Sequence, residues 1–175
     1  MWERYSEEEI MKIIQKKRDT SIKNGTNLNH IKSGNAYSRT VSGKRKDLGD
    51  QFFRSKTEAN YARYLKFVNE KYEYETREFC FEKIKRGTRY YIIDFYLPNR
   101  DQHVEIKGWL DSKSITKLKR FKKYYPKEFN KLIIVKQSLN DKDMAKLLDI
   151  GFKHNQIQNF KEIKSIAGLI KNWEY

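Results

Sequence analysis

The sequence predicts an α/β (α+β) fold: a mixed β-sheet flanked by helices, preceded by an N-terminal helix and a basic arm. Three patterns predict it. YEYETREFCFEKI, YIIDFYL and HVEIK alternate apolar and polar residues with the period of a half-buried strand. KSITKLKRFKKYY and DKDMAKLLDIG repeat apolar residues every three or four positions, as a helix packed on one side does. KLIIVK is short and continuously apolar, the signature of a strand covered on both faces.

Residues 6–24 read as a helix, with Ser6 as cap, Glu9 at the capping-box position and Ile10, Ile13 and Ile14 as an apolar stripe. The Gly-, Asn- and Ser-rich stretch that follows carries little periodicity and reads as an extended arm. Between Lys12 and Lys46, spanning that helix and the arm, the chain holds ten basic residues, Lys16, Lys17, Arg18, Arg39, Lys44, Arg45 and Lys46 among them, against the single acid Asp19. Such a one-sided surplus suits a polyanion, although a solvated linker would look similar. SKTEANYARYLKFVN, from Ser55 to Asn69, is the next helix. YEYETREFCFEKI is a strand, KRGTR a turn, and YIIDFYL and HVEIK form a hairpin. The helix KSITKLKRFKKYY turns Ile115, Leu118, Phe121 and Tyr125 inward, and the KLIIVK strand follows. DKDMAKLLDIG is a helix stopped at Gly151. KEIKSIAGLIKNWEY reads as a final amphipathic helix, with Phe160, Ile163, Ile166, Ile170 and Trp173 on one stripe. Residues 1–49 are therefore expected to be a DNA-binding helix and arm, and residues 50–175 one catalytic domain.

A net charge of +15 argues for a nucleic-acid partner, because lysines and arginines on phosphates release counterions. No apolar stretch is long enough to span a bilayer, so no membrane partner is expected. Cys80 is the only cysteine, which excludes internal disulfides and cysteine-rich zinc modules. A reducing, cytoplasmic setting is expected. Cys80 alternates with Phe79 and Phe81 and is read as a small buried hydrophobe.

The chemistry concentrates in YIIDFYLPNRDQHVEIKGW. With a turn centred on Asn99 and Arg100, residues whose numbers sum to 199 oppose each other, so Asp94 lies across from Glu105. Alternation then puts Ile92, Asp94 and Tyr96 on one face with His103, Glu105 and Lys107. Ile93, Phe95, Val104 and Ile106 point the other way, into a core. Two facing carboxylates repel unless a cation sits between them. A divalent metal and the Lys107 ammonium would meet that need. A plain solvent-face ion pair between Glu105 and Lys107 is the alternative. His103 is expected at the surface, and Trp109 either packs or stacks on a base.

The order of elements over residues 50–137, with Asp94 on one strand and Glu105-Ile106-Lys107 on the next, resembles the PD-(D/E)XK nuclease superfamily. Ile93-Asp94 stands where the superfamily often has Pro-Asp. SGKRKDLGDQFFRSKTEANYARYLKF, with IKRGTRYYIIDFYLPN and HVEIKGWLDSKSITKLKRFKKYYP, also resembles a group of phage-encoded endonuclease-like proteins. Locally, IDFYLPN and HVEIKGWL are similar to the phage endonuclease I junction resolvases. The resemblance implies a restriction-endonuclease-like sheet, a Mg²⁺- or Mn²⁺-dependent endonuclease, and branched (Holliday-junction-like) or duplex DNA as substrate. It implies that Asp94, Glu105 and the backbone carbonyl of Ile106 hold the metal. Lys107 would position or deprotonate the attacking water or stabilise the transition state, and Glu58 would join the metal site. Glu58 also sits three residues after Ser55, so a capping box would explain it as well. Arg54, Lys113, Lys117, Lys119 and Arg120 are expected to contact phosphates alongside the basic arm. A nicking or homing-type enzyme and a catalytically silent DNA-binding module are the alternatives. One such site cuts one strand, so a paired cut calls for a homodimer.

Overall fold

The structure, a computed structural model, describes residues 42–84 and 87–175. The expected N-terminal helix and most of the arm, with Lys16, Lys17, Arg18 and Arg39, lie outside the described residues. The fold is a mixed α+β arrangement around a five-stranded sheet.

β1 (Gly43–Arg45) and β2 (Gln51–Phe53) form a small antiparallel hairpin. Leu48 in its turn is buried in the same cluster as helix α1. The hairpin belongs to the unit Val41–Tyr175, so the folded domain begins several residues earlier than residue 50. α1 (Lys56–Phe67) starts where Ser55 accepts a hydrogen bond from the Glu58 N–H at 3.2 Å. It buries Ala59, Tyr61, Ala62 and Leu65.

The expected strand YEYETREFCFEKI divides in two. β3 (Glu73–Tyr74) pairs with β6 (Phe95–Leu97), while β4 (Glu78–Cys80) pairs with β5 (Tyr90–Ile92) in a separate ribbon. Glu75, with φ +52°, marks the break. β6 pairs with β7 (Gln102–Lys107) in the expected register: Phe95 with Val104, Tyr96 with His103, Leu97 with Gln102. β7 then pairs in parallel with β8 (Leu132–Lys136), and β8 in parallel with β9 (Ile157–Asn159). The sheet order is β3-β6-β7-β8-β9, which makes β8 internal, as its apolar run predicts.

The chain crosses from β7 to β8 through α2 (Ser112–Tyr124) and the short α3 (Pro126–Asn130). α4 (Asp141–Ile150) connects β8 to β9. Its cap is Asn140, and Gly151 closes it in a left-handed conformation, φ +104°, that a side chain would oppose. The expected long C-terminal helix is instead a one-turn α5 (Phe160–Lys164) and a 3₁₀ turn at Ala167–Leu169, just after β9. Phe160, Ile163 and Trp173 still reach the core, with Phe160 stacked on Trp173 at 5.6 Å.

The two sheet faces bury separate cores. Phe95, Val104, Ile106, Ile133 and Val135 pack against α1 and the C-terminal segment. Leu132 and Ile134 pack against Leu118, Phe121 and Leu147 of α2 and α4. Burial of each such side chain stabilises the fold by about 1.5–3 kcal/mol. Ile93 departs from expectation: it joins the second core, with Tyr91, rather than the first. The strand from Tyr90 to Leu97 is interrupted at Ile93–Asp94, so the alternation does not run through. Cys80 is half-buried rather than in a core, and its carbonyl accepts the Tyr125 hydroxyl at 2.6 Å.

Candidate active site

The site forms where β5–β6 peels away from β7. Odd-numbered residues of β7 direct their backbone groups to β8: the His103 N–H donates to Lys131, and the Lys107 carbonyl accepts from Gln137. Even-numbered residues therefore face β6. Ile93, which would continue the ladder opposite Ile106, donates instead to the Arg77 carbonyl. The Asp94 carboxylate takes over, accepting the Ile106 N–H at 2.7 Å. By the same alternation, the Ile106 carbonyl looks into the gap beside Asp94.

The register that pairs Phe95 with Val104 puts Asp94 opposite Glu105, on one side of the sheet. Glu105 is 2 % exposed. One of its carboxylate oxygens pairs with the Lys107 ammonium, and Oε2 is buried with no partner among the described residues. Burial, Glu105 and Glu58 push the Asp94 carboxyl well above the usual range, against the pull of Lys107 and the Ile106 N–H. Burial alone would lower Lys107, but the surrounding carboxylates of Glu105, Asp94 and Glu58 outweigh it and raise it. Lys107 therefore remains an ammonium through neutral pH, suited to holding charge rather than taking a proton.

Glu58 reaches this cluster from the start of α1. Its capping reading holds in part. It accepts from the Ser55 hydroxyl at 2.7 Å and the Arg54 N–H at 3.1 Å, as a cap residue does. It also accepts from the Tyr74 hydroxyl at 2.5 Å, and its charge is felt at both Asp94 and Lys107. Three donors thus fix the carboxylate at the edge of the site.

Two further residues bound the site. Tyr91 is fully buried, with its hydroxyl towards the Glu105 carboxylate but short of full hydrogen-bond geometry. Burial and the nearby charges of Glu105 and Asp94 raise its pKa. Lys117 on α2 lies over the Tyr91 ring, its ammonium 5.2 Å from the ring centre. Burial lowers Lys117, Lys107 adds to that, and Glu105 and Asp94 oppose it. Tyr91 and Tyr74 carried no signal in the sequence beyond strand alternation. Their roles follow from where the strand breaks.

The basic residues expected to touch phosphate divide. Lys44, Lys46 and Lys113 are exposed. Arg54 is exposed at the rim of the site, paired with Glu75 at 2.8 Å. The Arg45 guanidinium is instead engaged with both oxygens of Glu174, at 2.5 and 2.8 Å. Glu174 also binds Arg63, which is clamped in turn to Asp47. Lys119 pairs with Asp149, and Arg120 donates to the Thr88 carbonyl. Arg45 and Arg120 thus tie distant segments of the fold together, whereas Lys119–Asp149 is an exposed surface pair.

His103 is not at the surface. It is 2 % exposed, hydrogen-bonded through Nε2 to Glu128 at 2.8 Å, and edge-packed by Phe79. Burial lowers its pKa, against the pull of Glu128. Although on the same face as Asp94 and Glu105, it is walled off at the far end of β7. Lys136, opposite Lys107 on β8, is also fully buried. It donates to the Gly108 and Ser138 carbonyls and pairs with Asp143, tying the ends of both strands to α4. The apolar reading of KLIIVK gave no hint of this.

A hard divalent cation fits the donor set. An orphaned carboxylate oxygen on Glu105, an acid on Asp94 that resists ionising without compensation, and a free carbonyl direction on Ile106 are all oxygen ligands. No group of three His, Cys, Asp or Glu side chains among the described residues is gathered into a ready cage. Two carboxylates and a carbonyl, with waters, suit Mg²⁺ or Mn²⁺ better than Ca²⁺ or Zn²⁺.

No protein-family model, curated protein or solved structure matches the chain. No helix among the described residues is long and apolar enough to cross a membrane.

Proposed function

We propose that the chain is a Mg²⁺- or Mn²⁺-dependent endonuclease of the PD-(D/E)XK type, hydrolysing phosphodiester bonds in branched or duplex DNA. One observation carries the reading: Asp94 faces Glu105 across a strand pair, with the Lys107 ammonium bound to Glu105 and Glu58 within the same field. A cluster with more buried acid than base suits a further cation, and the chain's net charge of +15 suits a polyphosphate. The local likeness of IDFYLPN and HVEIKGWL to phage junction resolvases favours branched DNA and a phage-encoded enzyme within that class.

Asp94, Glu105 and the Ile106 carbonyl would hold the metal, with Glu58 taking a second ion or a bound water. When bound, the ion supplies an activated water and neutralises charge on the reacting phosphate. The Lys107 ammonium would orient that water and balance charge gathering on the phosphate oxygens, which this kind of preorganised cation does at little reorganisation cost. Glu105 would hold the ammonium in place. The Ser55, Arg54 and Tyr74 donors would keep Glu58 from swinging away. In-line attack of water breaks the bond between phosphorus and one ester oxygen. A paired cut would bring two copies of the site together as a homodimer.

Supercoiled plasmid and a synthetic four-way junction, incubated with Mg²⁺, with Mn²⁺ and with EDTA, provide the test. Metal-dependent cleavage that falls about 10²–10³-fold in Lys107→Ala, with binding retained, is the expected result. Binding without cleavage under any condition would make the protein a silent DNA-binding module. Equal cutting of both substrates would argue against branch selectivity.

A further inference from the structure

Trp109 lies two residues beyond Lys107 and is 74 % exposed. Among the described residues the indole has no aromatic or cationic partner, unlike most large aromatics of this chain. Its backbone is nonetheless firmly held. The Gly108 carbonyl on one side accepts the buried Lys136 ammonium at 2.6 Å. Leu110 on the other side is buried in the second core, and Asp111 caps α2 through the Ser114 N–H at 2.7 Å. A large apolar ring presented by a fixed backbone loses little conformational freedom when something covers it.

The surroundings specify what that partner is. Asp111 is held below the ordinary carboxylate range first by its hydrogen bonds with Ser114, then by the charges of Lys107 and Lys113. Lys113 and Lys117 stand one helical turn apart on α2, on one stripe. On the same helix, Arg120 and Lys122 donate to carbonyls, and Lys119 pairs with Asp149. Lys117 makes no hydrogen bond or ion pair among the described residues. It is half-buried, above Tyr91 and beside the acids. An unpaired, partly desolvated ammonium that feels Lys107, and a free indole two residues beyond Lys107, fit a ligand with both a flat π face and a negative charge. A nucleotide has both, but in intact duplex each base face is already covered by its neighbours.

We propose that Trp109 and Lys117 form a subsite for one unpaired nucleotide next to the reacting phosphodiester. Trp109 stacks on the base and Lys117 takes the adjoining phosphate. The preferred substrate is then DNA with an unstacked base at the cut, as at a branch or gap, rather than continuous duplex. This inference deepens the nuclease reading and relies on it only for the position of the cut.

The full chain is titrated in EDTA against gapped and four-way oligonucleotides carrying 2-aminopurine at the junction, and against the same base within continuous duplex. The wild type quenches the unpaired probe and binds it more tightly than duplex. Trp109→Ala loses the quench and about 5- to 100-fold of that affinity, the worth of one base–aromatic stack. Its duplex binding and its melting temperature stay unchanged, because the ring is exposed. Trp109→Phe retains part of the effect. Lys117→Gln weakens the same complex and flattens its salt dependence by about one phosphate contact. Equal affinity of wild type and Trp109→Ala for gapped DNA would overturn the subsite, as would a wild-type preference for duplex. Unchanged DNA binding with altered sedimentation of the variant would also overturn it, reassigning the indole to a protein contact. Cleavage in Mg²⁺ or Mn²⁺, run in parallel, separates the two ideas. A Trp109-dependent quench without any cleavage leaves the subsite standing and removes the nuclease. Cleavage indifferent to Trp109 does the reverse.

Discussion

Asp94→Asn should make the metal-free protein more stable while removing its response to metal. Burial first, then the charges of Glu105 and Glu58, hold the Asp94 carboxyl well above the ordinary carboxylate range. A carboxyl raised in the folded state contributes stability below the unfolded pKa and loses it as pH climbs towards the folded one. Across that window the unfolded chain releases a proton that the folded chain keeps. The cost is about 1.4 kcal/mol for each pH unit. Each kcal/mol so lost lowers the melting temperature by roughly 2–4 °C for a chain of this size. Asparagine does not titrate, and its amide oxygen still accepts the Ile106 N–H. The difference between variant and wild type should therefore widen with pH from about 4 upwards, in EDTA, and then level off. Adding Mn²⁺ should raise the wild-type melting temperature and leave the variant unmoved. Thermal melts across pH, with and without Mn²⁺, measure both. Parallel pH profiles of the two proteins would refute the account of a strained buried acid.

Two further substitutions separate roles that coincide in one place. Glu58→Gln should keep the hydrogen bonds that hold α1 and lose cleavage, whereas Ser55→Ala should cost about 1 kcal/mol of stability and change the cleavage rate by less than a few-fold. The opposite outcome in urea melts and rate assays would return Glu58 to capping alone. Arg45→Ala should lower stability by about 1–2 kcal/mol, because Glu174 keeps Arg63 as partner. It should leave DNA affinity within twofold, while joint replacement of Lys44 and Lys46 by alanine should flatten the salt dependence of binding by about two phosphates. A large affinity loss in Arg45→Ala without destabilisation would put that arginine on DNA.

Local rules made the centre of the site legible. One tight turn fixes the register of the hairpin, and that register decides which residues oppose each other. Ser55 and Gly151 announced helix ends through their own backbone chemistry. What escaped depends on contacts distant in sequence. The break at Ile93–Asp94 becomes evident only once Arg77 and Ile106 are seen competing for the same stretch of backbone. His103 and Lys136 are buried polar residues whose partners, Glu128 on His103 Nε2 and Asp143 on Lys136, are brought by other elements. Arg45 looked like part of a basic run until Glu174, far along the chain, came to meet it. The C-terminal apolar stripe was real for Phe160, Ile163 and Trp173, but its spacing could not distinguish one long helix from two short turns that bury those residues.

The direct test of the central claim is to grow crystals with Mn²⁺ and collect anomalous diffraction. The account predicts a peak between the carboxylates of Asp94 and Glu105, on the side of the Ile106 carbonyl, with Glu105 Oε2 now a ligand. A map with no anomalous peak there, and with Asp94 still on the Ile106 N–H and Glu105 still on Lys107, would contradict it.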